Sequence, residues 1–319
     1  AVLAVKDECG DALAACGGLR SLTAARAVIP VTRASRPRTI TRNFTMNTVA
    51  SFVVPSRANA FQRSLSIDDL RVLAPAVFAP SAHERMSEKY TFIPTERVLS
   101  GLMQAGFVPV DARQTHTRRN HPMYARHIVR LRRRFETVDL RDAIPEVVFL
   151  NSHDGTSAYQ IRLGLYRVVC TNGLIVSRGA FPAWCVSHRG DIVDEVVAGA
   201  LEVSERFEQL ALRVERMEQR CLSKDEQLRL AEQAMALRYA DPLQAGMAPA
   251  QLLTCRRVDD LKDDLWSVFN RIQENVLRGG LSRRSPTGRL VRSRRITSIR
   301  EDVRLNGALW DLAEAMLEA

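Results

Sequence analysis

Residues 145–176 hold several extended apolar stretches joined by turns too short to contain a helix, and that spacing limits how the chain can fold. Pro145-Glu146-Val147-Val148-Phe149-Leu150 reads as a buried strand. A polar turn, Asn151 to Thr156, leads into Ser157 to Leu163 and then Leu165 to Cys170, with Gly164 read as a bend between them. Thr171-Asn172-Gly173 turns the chain again into Leu174-Ile175-Val176, and Asn-Gly between two apolar runs is a hairpin signal. Parallel neighbours need a crossover of about a dozen residues or more, which these turns cannot supply, so the sheet is predicted to be largely antiparallel.

The strand signal extends upstream. Phe107 to Thr117 is extended, and residues 125–135 alternate, with His127, Val129 and Leu131 on one face and Ile128, Arg130 and Arg132 on the other. Ser66 precedes two aspartates and an apolar run, a helix start that Pro75 ends; a second helix covers about 95–105 and stops at Gly106. From Asp191 the period becomes helical. Ile192, Val196, Ala200, Val203, Phe207, Leu210 and Val214 form one long stripe, and further helices are predicted from Ser223 to about Tyr239, over 258–278 and from Ile299 to Leu317. The predicted fold class is α+β, a largely antiparallel sheet over about 107–188 covered by a C-terminal helical layer. Residues 61–319 are expected to form one domain, with a sheet part (61–188) and a helical part (189–319).

Residues 1–60 differ from the rest. The first methionine is Met46, no acidic residue lies between Asp11 and Asp68, and Arg33, Arg36, Arg38 and Arg42 crowd one stretch. This segment is expected to be a disordered or extraneous leader. A transit peptide has a similar arginine-rich, acid-poor composition, but in-frame upstream sequence is the preferred reading.

The formal charge is +10 over 319 residues, and arginine dominates the basic side chains. That balance points to a polyanionic partner, DNA or RNA. No apolar run reaches 18 residues, so no membrane partner is expected and the predicted location is cytoplasmic. The six cysteines are scattered, without a CxxC pair, and are read as reduced thiols rather than metal ligands. No P-loop, GxGxxG or HExxH pattern is present, so neither a metal nor a cofactor is predicted.

The densest charge lies at 278–300, RGGLSRRSPTGRLVRSRRITSIR, which contains no acidic residue. Its glycines and Pro286 make it a loop or hairpin between two helices, and its guanidinium forks suit phosphate oxygens. Candidate nucleic-acid ligands here are Arg283, Arg284, Arg289, Arg292, Arg294 and Arg295. A second cluster contributes Arg126, Arg130 and Arg132, with Arg130 and Arg132 sharing one strand face as a possible groove floor. The competing reading of that stripe is the ordinary polar face of a half-exposed sheet.

Ser152-His153-Asp154 has the side chains of a hydrolytic triad, but consecutive residues on a turn point apart. The turn reading has Asn151 and Asp154 accepting backbone hydrogen bonds while Gly155 supplies a positive φ. His153 and Asp154 are the weak catalytic candidates, together with Cys170, for which Arg167 and His188 are possible activators; a buried structural thiol is the competing reading of Cys170.

Five stretches carry a family resemblance: SEKYTFIPT (87–95), LNSHDGTSAYQ (150–160), YRVVCTNGL (166–174), LWSVFNRIQENVLRGGLS (265–282) and VRLNGALWDLAEAML (303–317). Together they resemble the family called domain of unknown function 932, or uncharacterised protein family 0380, over residues 63–319. The resemblance brings no catalytic residues. It implies a gene carried on bacterial plasmids, prophages and genomic islands, and hence three expectations. The first is an accessory protein that binds nucleic acid; a loose likeness to phage single-strand annealing proteins would make it a homo-oligomer with a basic groove. The second is an enzyme acting on nucleic acid or a nucleotide, with its site where the 151–156 and 170–173 turns converge. The third is an inhibitor of a host defence protein.

Overall fold

The computed structural model describes residues 64–318 apart from 89, 117–120, 136–137, 139, 141–142, 168–172, 177–180, 187–191 and 240–245. The expected leader and Cys170 lie outside the described residues.

Ser66 caps α1 (Ile67–Leu73) through a reciprocal pair of bonds with Asp69, and α2 (Thr95–Gln104) follows. Then come β1 (Phe107–Gln114), β2 (His127–Arg133), β3 (Ala143–Asn151), β4 (Tyr159–Arg167), β5 (Gly173–Val176) and β6 (Trp184–Val186). All pair antiparallel in the order β1-β2-β3-β4-β5, and β6 pairs with the start of β4. Every residue of β3 is buried, because it is central and covered on both faces; hence its long apolar run. Gly164 does not bend the chain. β4 runs straight through it, and a Cβ there would lie 2.6 Å from Val148 Cγ2 on the neighbouring strand.

The helical part contains α3 (Val193–Glu205), α4 (Phe207–Gln219), α5 (Lys224–Arg238), α6 (Leu265–Arg278) and α7 (Ile299–Glu318). A two-stranded hairpin, β7 (Ser282–Arg284) with β8 (Leu290–Arg292), separates α6 from α7. The single stripe expected over 192–214 is two helices. Arg206, at φ −88° and ψ 1°, breaks the hydrogen-bond ladder without interrupting the spacing of Val203, Phe207 and Leu210. The architecture is α+β, and one hydrophobic core runs from Leu70 through the inner sheet face (Val129, Val147, Ile161, Leu163) to Trp310 on α7.

α3 lies close against β6. A Cβ at Gly199 would sit 2.7 Å from the Trp184 ring, closer than two carbons can approach. Gly199→Ala is therefore expected to destabilise the fold by about 1–3 kcal/mol through overpacking. Alanine's better helix propensity, about 1 kcal/mol in the opposite direction, would prevail on an open helix face. A denaturant midpoint at or above the wild-type value would show that the indole yields freely.

α6 is buried on all sides from Leu265 to Leu277, including six polar or charged residues. Each finds a partner. Asn275 donates to the Leu252 and Thr254 carbonyls at 2.8 Å, Gln273 donates to Asn306 of α7 at 2.9 Å, and Glu274 accepts from Arg257 and Arg278. One of the resemblance-carrying stretches is thus the fold's central helix.

Candidate nucleic-acid interface

Arg130 and Arg132 do not form a groove floor, and that expectation is corrected here. Both are 4% exposed, and both bind Glu146, which has no exposure at all. Arg130 Nη1 donates to Glu146 Oε2 at 2.6 Å and Arg132 Nε to Glu146 Oε1 at 2.8 Å. A second Arg130 nitrogen donates to the Leu174 carbonyl at 3.1 Å, and Arg132 lies 4.7 Å over the Tyr166 ring. Gly173 makes room for this trio, since a Cβ there would meet the Arg130 guanidinium at 2.0 Å. Two cations share one carboxylate on the outer sheet face. That face is apolar further along, where Ile128, Val148, Leu150 and Ile175 pack on Ile299 of α7.

The 151–156 turn has the predicted Asp154 and Gly155 roles. Asp154 Oδ1 accepts from the Thr156 amide at 3.1 Å, and Gly155 has φ 73°. Asn151 differs from the expectation, because its side chain enters the core. Its Nδ2 donates to Thr95 Oγ1 at 3.0 Å. The same hydroxyl lies 3.0 Å from His127 Nε2 and 3.1 Å from His153 Nε2.

Hydrogen-bond counting assigns the protons. His127 Nδ1 faces the Ala125 carbonyl at 3.0 Å and so carries the hydrogen, which leaves Nε2 of the neutral ring to accept from Thr95. Thr95 then has two lone pairs, one filled by Asn151 and the other by an N–H on His153 Nε2. A hydroxyl has one donor and two acceptor sites, and here all three are used. Thr95, His127, Asn151 and His153 are all fully buried. Burial, with a smaller contribution from Asp154, pushes the nearby Tyr90 phenol up to about 12; Tyr159, whose hydroxyl donates to the Ile93 carbonyl, is also raised by burial. The group joins the start of α2, the start of β2 and the end of β3. His153 is thus committed to the core rather than presented to a substrate.

Of the 170–173 turn only Gly173 lies among the described residues. Gly173 pairs with Tyr166, seven residues along β4 from Tyr159 beside the 151–156 turn, a separation of roughly 23 Å along a strand. Among the described residues no group of three or more His, Cys, Asp or Glu is placed to hold a metal ion. No helix among them is long and apolar enough to cross a membrane.

The arginine-rich segment matches its expected form. The hairpin base is held by Gly280 N to Ser293 O, Ser293 N to Leu281 O and Ile296 N to Leu277 O, all 2.8 Å. Arg284, Arg289, Arg292, Arg294, Arg295 and Arg300 are exposed, Arg283 half-buried. Arg284 and Arg292 donate to carbonyls of their own segment, at Gly288 and Gly280. Among the described residues none of the six exposed arginines forms an ion pair with a carboxylate.

Arg126 joins this surface. It is half-buried and donates to the Thr156 carbonyl; burial lowers its pKa, Asp154 opposes, and Arg300 adds a smaller push in the same direction as burial. The packing explains the approach. Ile299 and Ile128 belong to one buried cluster, and the Arg113–Asp302 ion pair binds β1 to the first turn of α7. Sequence reasoning left Arg300 out of the site, because only tertiary packing brings the entry of α7 to the start of β2.

Beside Arg126 is an open cleft of about 330 Å³ lined by Pro80, His83, Glu84, His121, Met123 and Tyr124. Its backbone is tied to the buried cluster, since the His83 amide donates to the His153 carbonyl at 3.0 Å and the His153 amide to the Tyr124 carbonyl at 3.3 Å.

An arginine hairpin on an antiparallel sheet with a helical layer defines a basic α+β protein, and comparison with known proteins gives its family. Residues 82–310 match the model described as domain of unknown function (DUF932), and the chain belongs to that family. It is 40% identical over 259 residues to UPF0380 protein YafZ of Escherichia coli (strain K12), which covers 80% of this chain and 92% of that protein. It is 39% identical over the same length to UPF0380 protein YfjQ of that strain, with the same coverage. No solved structure matches the chain.

Proposed function

We propose that this protein binds nucleic acid through its sugar–phosphate backbone. The contact surface is the β7–β8 hairpin and the segment entering α7, with Arg126 at its far end. The observation that carries this reading is the set of six exposed arginines, 284, 289, 292, 294, 295 and 300, none of which forms an ion pair with a carboxylate among the described residues. Clustered fixed charge of one sign favours a polyanion, and guanidinium forks match phosphate oxygens in pairs. Backbone contacts hold a strand without reading its sequence, which suits the accessory role on mobile elements that the family resemblance implies.

The test is fluorescence anisotropy of the full chain with single-stranded DNA, duplex DNA and RNA across a salt series. With about five phosphates engaged, the log–log slope is expected near −3.5 for single strands and −4.5 for duplex. Replacing Arg284, Arg289, Arg292, Arg294 and Arg295 together by glutamine should weaken binding at least about tenfold and flatten the slope by a similar number of units. These side chains are exposed, so the melting temperature should hardly move. Absence of wild-type binding at low salt, or an unchanged slope in the variant, overturns the proposal.

A further inference from the structure

We propose that the cleft formed by Pro80, His83, Glu84, His121, Met123 and Tyr124 receives an unstacked base of a single strand whose backbone runs onto the arginine surface. This inference rests on the nucleic-acid reading and deepens it, since it names the form of nucleic acid and a second point of contact, at a base rather than at the backbone.

Three observations converge on the cleft. The first is its lining of rings. His83 meets Tyr124 edge-on, with centroids 5.0 Å apart, and His121 lies 5.9 Å away from the same ring. Aromatic rings are the usual platform for a splayed base, and any base can use them because each has a π-face.

The second is the state of the two imidazoles. His83 Nδ1 accepts from the Arg85 amide at 3.1 Å and His121 Nδ1 from the Met123 amide at 3.3 Å. Each neutral ring therefore carries its hydrogen on Nε2 and has one donor left for the acceptors of a base edge.

The third is position and size. Tyr124 precedes Arg126 by two residues, and Arg126 feels the charge of Arg300, next to Ile299 in the buried cluster that also holds Ile128. A strand crossing Arg300 and Arg126 has this cleft as its next neighbour. A volume of about 330 Å³ lies at the small end of ligand pockets, suited to one base rather than to a dinucleotide. A duplex keeps its bases stacked and cannot fill the cleft without paying for extrusion. The binding order expected is therefore single strand above duplex at moderate salt, although duplex carries the denser charge.

The experiment compares the full chain on a deoxythymidine oligomer and on an oligomer of equal length made of abasic residues, each over a salt series. Wild type is expected to bind the base-bearing strand about 5- to 100-fold more tightly, with similar slopes for both strands. Tyr124→Leu should lose that preference and leave the abasic affinity and the slope alone, whereas Tyr124→Phe should keep it. The hairpin glutamine variant should do the reverse, with both affinities reduced and the slope flattened. If wild type binds both strands equally, or Tyr124→Leu retains the preference, the cleft inference fails and the backbone proposal stands. If wild type binds neither strand, both fail. The wild-type comparison needs no variant, so a misfolded Tyr124→Leu protein would not rescue the idea.

Discussion

Glu146→Gln is expected to lower the melting temperature by roughly 6–20 °C. The estimate takes about 3–5 kcal/mol for removing one partner of a buried ion pair and about 2–4 °C per kcal/mol for a domain of this size. The cause is specific to the trio. Arg130 and Arg132, two residues apart on one face of β2, share the one carboxylate, and with glutamine in its place both buried guanidiniums lose that charged partner. Glutamine fills nearly the same volume, so the loss would not be a packing defect. A triple replacement, Arg130→Met, Arg132→Leu and Glu146→Leu, should recover most of the stability, because exchanging a whole buried ionic group for apolar side chains is often neutral or better. The decisive comparison is the single against the triple variant by thermal denaturation. A single variant within 2 °C of wild type, on the same scale, would mean that the trio is hydrated and carries little of the fold's stability.

Thr95→Val should be the next most damaging change, at about 3 kcal/mol or more. Valine has threonine's shape but no hydroxyl. It leaves the Asn151 amide, the His153 Nε2 hydrogen and the His127 Nε2 lone pair without their common partner. Each buried polar group stranded in this way costs about 1–3 kcal/mol, and the three are coupled, so the sum is an upper limit. Thr95→Ser retains the hydroxyl and should cost only about the loss of a methyl group, near 1 kcal/mol. Urea denaturation of the two variants separates the explanations, and equal losses would show that the hydroxyl network contributes nothing. Nitrogen chemical shifts supply an independent check, with the hydrogen expected on Nδ1 of His127 and on Nε2 of His153.

The strand pattern was readable because the turns of 145–176 are short and β3 carries the apolar run Val147 to Leu150. Ser66 and Ser223 marked helix starts correctly, since a serine followed three residues later by a carboxylate satisfies two terminal amides at once. The basic hairpin was also readable, from its glycines, its proline and the missing acids. What failed were statements about which way a polar side chain faces. Alternation placed Arg130 and Arg132 on one face of β2 correctly, but the covering of that face depends on Glu146, on the neighbouring strand β3 two residues from the partner of Arg130, and on Gly173 of β5. The available signal was Glu146 itself, a lone carboxylate within an apolar strand and therefore in need of a cationic partner. His153 sits in a polar turn and was a weak catalytic candidate; its hydrogen-bond partner in the core, Thr95, lies 58 positions earlier. Arg206 carries neither glycine nor proline, so nothing local announced the break between α3 and α4.

The burial of α6 has a consequence for how the chain assembles. Its polar residues are satisfied partly by segments made before it, at Leu252, Thr254 and Arg257, and partly by Asn306, which the ribosome adds about 30 residues later. Until α7 emerges, the helix has no surrounding in which Gln273 is paired and Trp266 and Phe269 are covered. The sheet can form its hairpins early, but completion of the core waits for the distal helix. During that interval the nascent domain exposes the apolar side chains of α6, and that is the stage at which a chaperone or a protease would find it.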